Sequence, residues 1–215
     1  MYYLVRIFTR IFIRLIYRVR VYGLDKLPKT GPLMLVANHV TLVDGFLLAV
    51  HSPRKLRFLM AEEIYNRSLI KPWAKFLGFI PVPLAKNPGA LKEVYTRVQA
   101  LLRAGEAVCI FPEGKLTTNG AMTEFKKGFL RMIPDDLEVP IVPCHLGLLW
   151  GSIFSLYYKT IKLRKPRNYP YPVIINFADP MPKDISASEA RRRIAELASD
   201  SLKKDAPGDK IFTDH

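Results

Sequence analysis

Residues 33–50 read LMLVANHVTLVDGFLLAV. Leu33–Ala37 is an unbroken apolar run of strand length, and Leu42–Val50 has the length and apolar content of a helix. A buried strand that turns sharply into a helix is the start of a βα unit. The stretch therefore predicts an α/β domain with a largely parallel sheet. It also sets two groups capable of acid–base chemistry, His39 and Asp44, five residues apart where the chain leaves the strand.

Two readings of that pair stand. Thr41-Leu42-Val43-Asp44 fits a capping box, in which Thr41 caps the helix, Asp44 reaches back to it and His39 is incidental. The other reading uses the spacing. Five residues turn a helix by about 500°, or about 140° net, so His39 and Asp44 cannot meet on one continuous helix. They meet only if His39 precedes the helix and Asp44 lies in its first turn, which the Thr41 cap allows. A carboxylate on Nδ1–H would then fix the histidine tautomer and leave Nε2 free as a base.

The pattern repeats along the chain. Further strands are expected at Leu56–Met60, Phe79–Pro83, Ala107–Phe111, Val139–Pro143 and Val173–Phe177, and further helices at Leu69–Leu77, Pro88–Ala104 and Ala187–Lys203. Asn87, Pro88 and Gly105 punctuate the Pro88–Ala104 helix, and Ser186 with Glu189 forms a capping box for the last. Residues 25–204 read as one domain and residues 205–215 as a flexible tail. In open α/β sheets, ligands gather beyond the carboxyl ends of the strands. Asn38-His39 leaves one strand there, Pro112-Glu113-Gly114-Lys115 another, and His145 with the loop after it a third.

The chain has 215 residues, 49% of them hydrophobic, which excludes a disordered chain. Its formal net charge of +14 calls for an anionic partner: an anionic membrane, an acidic protein or ligand, or nucleic acid. No nucleic-acid-binding motif is present, and the arginines interleave with large aliphatic residues. His39, His51, His145 and His215 lack zinc-type spacing, and Cys109 and Cys144 form no CxxC, so neither a metal nor another cofactor is expected.

Residues 1–24 are expected to form an amphipathic helix. Arg6, Arg10, Arg14 and Arg18 recur every four residues and would form one basic stripe. The arginines interrupt any membrane-spanning run, which needs about 20 largely uncharged residues. Two placements fit: lying in a membrane interface with arginines at the headgroups, or docked on the protein's own core. A second apolar run, Val139–Tyr158, carries prolines and glycines that argue against one long helix. It reads as a strand and a loop able to touch lipid, followed by the basic cluster Lys159, Lys162, Arg164, Lys165 and Arg167.

NHVTLVDGF (38–46), GFIPVPLAK (78–86), AVCIFPEGKLTTNG (107–120) and VPIVPCHL (139–146) together resemble the HxxxxD, second, FPEG and closing proline blocks of the glycerolipid acyltransferases, the family of bacterial lysophosphatidate acyltransferase. All four stand in the family's order. The resemblance covers about residues 20 to 180. It implies transfer of a fatty acyl group from an acyl thioester to the free hydroxyl of a glycerolipid, at the cytoplasmic face of a bacterial inner membrane. His39 would be the general base and Asp44 its orienting partner. Glu113, Gly114 and Lys115 would bind the acceptor, and Phe111, Pro112, Gly78, Ile80, Lys86 and Pro143 would line the substrate site. An alcohol does not ionise at neutral pH, so a base must take its proton during attack.

The sequence departs from the family in its cations. Its glycerophosphate acyltransferases usually carry an arginine in the second block and another just after FPEG. Here the second block reads Ile80-Pro81-Val82-Pro83, with Lys86 the nearest cation, and Lys115 follows FPEG. Lysine offers a point charge where arginine offers a fork. A phosphate already esterified to a headgroup demands less. FPEGKLTTNG and GLLWGSIFS also resemble the acyltransferase domain of acyl-ACP synthetase/2-acylglycerophosphoethanolamine acyltransferase. That likeness implies lysophosphatidylethanolamine as acceptor and acyl carrier protein, or coenzyme A, as thioester carrier. The alternatives are acylation of lysophosphatidate and, in another class, a non-catalytic lipid- or carrier-protein-binding domain.

Overall fold

Leu33–Ala37 forms a strand whose five side chains are all buried, as in a sheet covered on both faces. The computed structural model describes residues 2–83, 88–156 and 169–204. In chain order these form α1 (Tyr2–Ile16), β1 (Tyr17–Tyr22), β2 (Leu33–Ala37), α2 (Asp44–His51), β3 (Leu56–Ala61), α3 (Glu62–Tyr65), α4 (Lys71–Leu77), β4 (Ile80–Val82), α5 (Pro88–Arg103), β5 (Ala107–Ile110), β6 (Ile141–Gly147), β7 (Tyr171–Phe177) and α6 (Ala187–Lys204). Short 3₁₀ turns occupy Leu24–Lys26 and Lys127–Met132.

The strands make one seven-stranded sheet in the order β1-β7-β6-β2-β5-β3-β4. Every pairing is parallel except that of β6 with β7. The largely parallel α/β architecture expected from the sequence is the one that forms. Alternation along β2 divides the core. Leu33, Leu35 and Ala37 face Ile13 of α1, Leu47 and Leu48 of α2, and Leu77 of α4. Met34 and Val36 face Val98 and Leu102 of α5 and Ala190 and Ile194 of α6. The Ser186 hydroxyl caps α6 by accepting the Glu189 N–H at 3.1 Å.

Two boundaries differ from expectation by more than two residues. The helix expected over residues 1–24 closes at Ile16, and YRVRVY becomes an edge strand in register with Tyr171–Asn176. Its alternating Tyr17, Val19 and Val21 favour a pleated surface, and pairing with β7 satisfies one edge of the backbone. Arg18 therefore lies on β1 outside the helical stripe, and residues 17–24 belong with the α/β domain. The strand expected at Val139–Pro143 runs instead from Ile141 to Gly147. Antiparallel pairing of Cys144–Gly147 with β7 carries it past Pro143, so His145 lies inside the strand rather than in a loop after it. Lys86, Asn87, the 159–167 basic cluster and the 205–215 tail fall outside the described residues.

Helix α1 docks on the protein's own core along one arc and leaves a second apolar arc exposed. At about 100° per residue, Val5, Thr9, Ile13 and Ile16 share one narrow arc. Thr9 and Ile13 on that arc are buried, and the helix packs on α2 and α4. Leu4, Ile7, Phe8, Ile11, Phe12 and Leu15 form a separate arc about 140° wide, and each is more than half exposed, up to 63% for Leu15. Arg6, Arg10 and Arg14 fill the remaining sector. Arg6 donates through Nη2 to the carbonyls of Val50 (3.3 Å) and Ser52, binding α1 to the carboxyl end of α2.

Candidate active site

Strands β2 and β5 are neighbours, with Leu35 level with Cys109 and Val36 with Ile110. That register, carried three residues past the Val36–Ile110 pair, sets His39 level with Glu113. The two segments indeed meet there. The His39 backbone N–H donates to Glu113 Oε1 at 2.7 Å. The other Glu113 oxygen accepts from the Thr123 N–H at 2.7 Å and the Thr123 hydroxyl at 2.8 Å. The Glu113 carboxylate is buried and spent on protein donors. Expected to bind the acceptor, it ties the His39 turn to the 122–126 segment.

His39 Nδ1 lies 2.8 Å from Asp44 Oδ2. The same oxygen accepts the N–H groups of Val40 (2.6 Å) and Thr41 (2.9 Å), and the Thr41 hydroxyl donates to Oδ1. Asp44 is wholly buried at the first residue of α2. Its carboxylate has only acceptors to offer, so in the neutral imidazole Nδ1 carries the proton and Nε2 keeps its lone pair. The half-buried ring stacks on Phe111 at 4.2 Å and 14°. The capping and catalytic readings of the motif are thus one structure: the carboxylate that reaches back to Thr41 also orients His39. The Thr41 hydroxyl oxygen accepts the Val43 N–H at 3.3 Å, and α2 begins at Asp44, two residues later than expected.

The supporting groups carried weaker signals in the sequence. Asn38 locks the end of β2 to β6: its Nδ2 donates to the Leu146 carbonyl at 3.0 Å and its Oδ1 accepts the Leu146 N–H at 2.7 Å. The Thr117 N–H binds the His39 carbonyl at 3.1 Å. Behind His39, Phe111, Phe58, Phe79 and Phe46 form a chain of ring contacts. A Cβ added at Gly45 would stand 3.1 Å from the Phe79 ring, which explains a glycine directly after Asp44.

The other expected site residues divide. Phe111 touches His39, and Pro112 is buried beside Glu113 with its carbonyl accepting the Lys126 N–H at 3.0 Å. Gly114 and Lys115 are exposed on the adjoining turn. Gly78 and Ile80 are not brought to His39. Gly78 closes α4 in a left-handed conformation (φ 81°) beside Arg57, before β4 begins. Ile80 is packed in the α5–α6 side of the core. From the second block it is Phe79 that joins the ring chain behind His39. Pro143 is buried mid-strand, level with Val36, and His145 is largely enclosed, its Nδ1 without a hydrogen-bond partner. Burial pushes the His145 ring down to about 4 and holds both cysteine thiols well above their ordinary value. Asn38, Val40 and His145 line a cavity of about 400 Å³ with Met122, Trp150 and Arg191. Among the described residues no three His, Cys, Asp or Glu side chains converge as metal ligands.

The arrangement holds an imidazole against a buried carboxylate at the carboxyl end of the sheet, while both cysteine thiols are buried elsewhere in it. The family model described as Acyltransferase matches residues 18–147. The chain is 26% identical over 209 residues to the Arabidopsis thaliana chloroplastic 1-acyl-sn-glycerol-3-phosphate acyltransferase LPAT1, covering 91% of this chain and 53% of that protein. It is 27% identical over 192 residues to a Mycoplasma genitalium protein named as a probable 1-acyl-sn-glycerol-3-phosphate acyltransferase, covering 85% of this chain and 70% of the relative. An uncharacterized Mycobacterium leprae protein is 27% identical over 157 residues, and the chain spans only 40% of its length. The crystal structure of the Thermotoga maritima 1-acyl-sn-glycerophosphate acyltransferase PlsC superposes with a TM-score of 0.63 at 21% identity, covering 96% of this chain and 80% of that one, and shows the same fold. The family match spans more than half of the chain and takes in both the His39–Asp44 and Glu113 segments: this protein belongs to the acyltransferase family.

Proposed function

We propose that the chain transfers a fatty acyl group from an acyl thioester to the free hydroxyl of a lysophospholipid at a membrane surface. The observation that carries this reading is the His39 Nδ1–Asp44 contact at 2.8 Å, which leaves Nε2 as a base. Nε2 takes the acceptor's hydroxyl proton as its oxygen attacks the thioester carbonyl carbon. The tetrahedral intermediate collapses, the C–S bond breaks, and the thiolate leaves with the proton returned by the imidazolium. One ester and one thiol are formed. Asp44 holds the imidazolium in place and offsets its charge. Cys109 and Cys144 are buried thiols kept protonated, so direct transfer between two bound substrates fits better than an acyl-enzyme.

The apolar arc of α1 supplies the surface that meets lipid. Leu69, Trp73 and Phe76, in and before the neighbouring α4, extend it with exposed side chains. No helix among the described residues is long and apolar enough to cross a membrane, so contact in the interface is the mode that fits. Each arginine at an anionic headgroup layer adds about 1 kcal/mol.

For the acceptor, the lack of arginine beside Gly114 favours lysophosphatidylethanolamine, whose phosphate is a diester. The names of the relatives favour lysophosphatidate. For the donor, the net charge of +14 suits either acidic carrier protein or coenzyme A. Initial rates with both donors and both acceptors, on the same liposomes, decide these points. A rate that rises with either lysophospholipid supports the reading. Thioester hydrolysis that is indifferent to acceptor, or no reaction with either, contradicts it.

A further inference from the structure

Lys126 lies outside every motif singled out in the sequence, yet its side chain crosses the FPEG turn. A Cβ built on Gly114 would stand 2.7 Å from Lys126 Nζ, 3.3 Å from Cε and 3.5 Å from Cδ. Gly114 has φ 65°, so its backbone favours glycine, and the tip of the lysine lies over it. The placement is built rather than incidental. The Lys126 N–H binds the Pro112 carbonyl at 3.0 Å. Three residues earlier, Thr123 is tied to Glu113 by two hydrogen bonds. Phe125 between them is buried. From the other side, Arg191 donates to the carbonyls of Met122 and Thr123, both at 2.9 Å.

The ammonium group has nothing to neutralise it among the described residues. Glu113, the nearest carboxylate along the turn, has its oxygens occupied by His39 and Thr123. Lys126 forms no ion pair among the described residues, nor does Lys115 on the same turn. Two exposed cations thus border the Gly114 backbone, one residue from the carboxylate that holds His39. In a lysoglycerophospholipid with a free 2-hydroxyl, the phosphate is carried by the adjacent carbon. A base aimed at that hydroxyl therefore needs a cation close beside it.

We propose that Lys126 is a specificity-determining residue which, with Lys115, receives the phosphate of the acceptor lipid. It supplies part of the charge that the missing arginine would have given. The assignment rests on the acyltransferase reading for the identity of the lipid, but it is testable without turnover. The probes are lysophosphatidate and a phosphate-free monoacylglycerol of the same chain, titrated in the same detergent micelles against the full chain. Lys126→Met should weaken lysophosphatidate binding by tenfold or more and leave monoacylglycerol unchanged. Lys126→Arg should restore most of the loss, and the neighbouring Lys127→Met should do nothing. In turnover the loss should fall on KM for the phosphorylated acceptor, with kcat little altered.

Equal losses on both lipids, or equal losses from Lys126→Met and Lys127→Met, would overturn the assignment. Monoacylglycerol binding and an unchanged Tm certify the fold of each variant. A chain that transfers no acyl group but keeps a Lys126-dependent preference for the phosphorylated lipid would sink the acyltransferase reading and leave the phosphate site standing.

Discussion

At the residue scale, His39 and Asp44 have different costs, and mutation should separate them. The His39 side chain is 23% exposed and makes one hydrogen bond among the described residues, so His39→Ala should leave Tm nearly unchanged. The loss of a general base should cost about 10²- to 10⁴-fold in turnover. Asp44 is buried and accepts from Val40, Thr41 and His39. Asp44→Ala strands those donors and should cost about 3 kcal/mol or more in denaturant unfolding as well as activity. Glu113→Ala should resemble Asp44→Ala, because the carboxylate is structural wiring for the His39 turn. Replacing both Cys109 and Cys144 with alanine should lower stability through small cavities yet preserve turnover per folded molecule. Retained turnover is what direct transfer requires. The pair itself was legible in the sequence because a five-residue spacing after a strand leaves one geometry in which the groups meet. The inward turn of Glu113 was not legible. Thr123 and Asn38, which support the His39 turn, are ordinary polar residues, and the Leu146 partner of Asn38 lies 108 residues on.

At the element scale, α1 joins its exposed apolar arc to the helix that carries Asp44, since Arg6 holds the carboxyl end of α2. Its two apolar faces predict opposite phenotypes. Phe8→Asp with Phe12→Asp acts on exposed positions and should reduce liposome sedimentation tenfold or more, with circular dichroism and Tm intact. Ile13→Ala removes a fully buried side chain and should cost about 2–4 kcal/mol while leaving the lipid-facing arc whole. The sequence showed the amphipathic helix but placed its end too late. Helical and strand periodicities overlap in Tyr17–Tyr22, where alternating arginines also continue the four-residue stripe. Only pairing with Tyr171–Asn176 decides for the strand, and that partner lies about 150 residues away. β6 shifted for the same reason: its second half is specified by β7, not by its own prolines.

At the scale of the whole molecule, acid should destabilise the fold in a defined window. Burial lowers His51 and His145 from 6.5 to about 4, and Arg10, Arg14 and Arg6 add to the effect at His51. The unfolded chain therefore binds more protons between those values. Stability is fully present above pH 6.5 and falls as pH drops toward 4, by at most about 3 kcal/mol for each ring. Tm should decline from pH 7 to pH 5, and His145→Gln should flatten that decline. A steeper or unchanged slope in the variant would refute the burial argument. Register explains why distant motifs cooperate: β2 and β5 carry His39 and Glu113 out of the sheet at one level, and Asn38 fastens β6 beside them. The central claim is that this junction presents Nε2 of His39 as a base to a lipid hydroxyl. Its most direct test is acyl transfer to lysophospholipid on liposomes by the wild-type chain and by His39→Ala at equal folded concentration. The account predicts lysophospholipid-dependent transfer that drops by at least about 10²-fold in the variant, with Tm preserved. Near wild-type turnover from His39→Ala would contradict it.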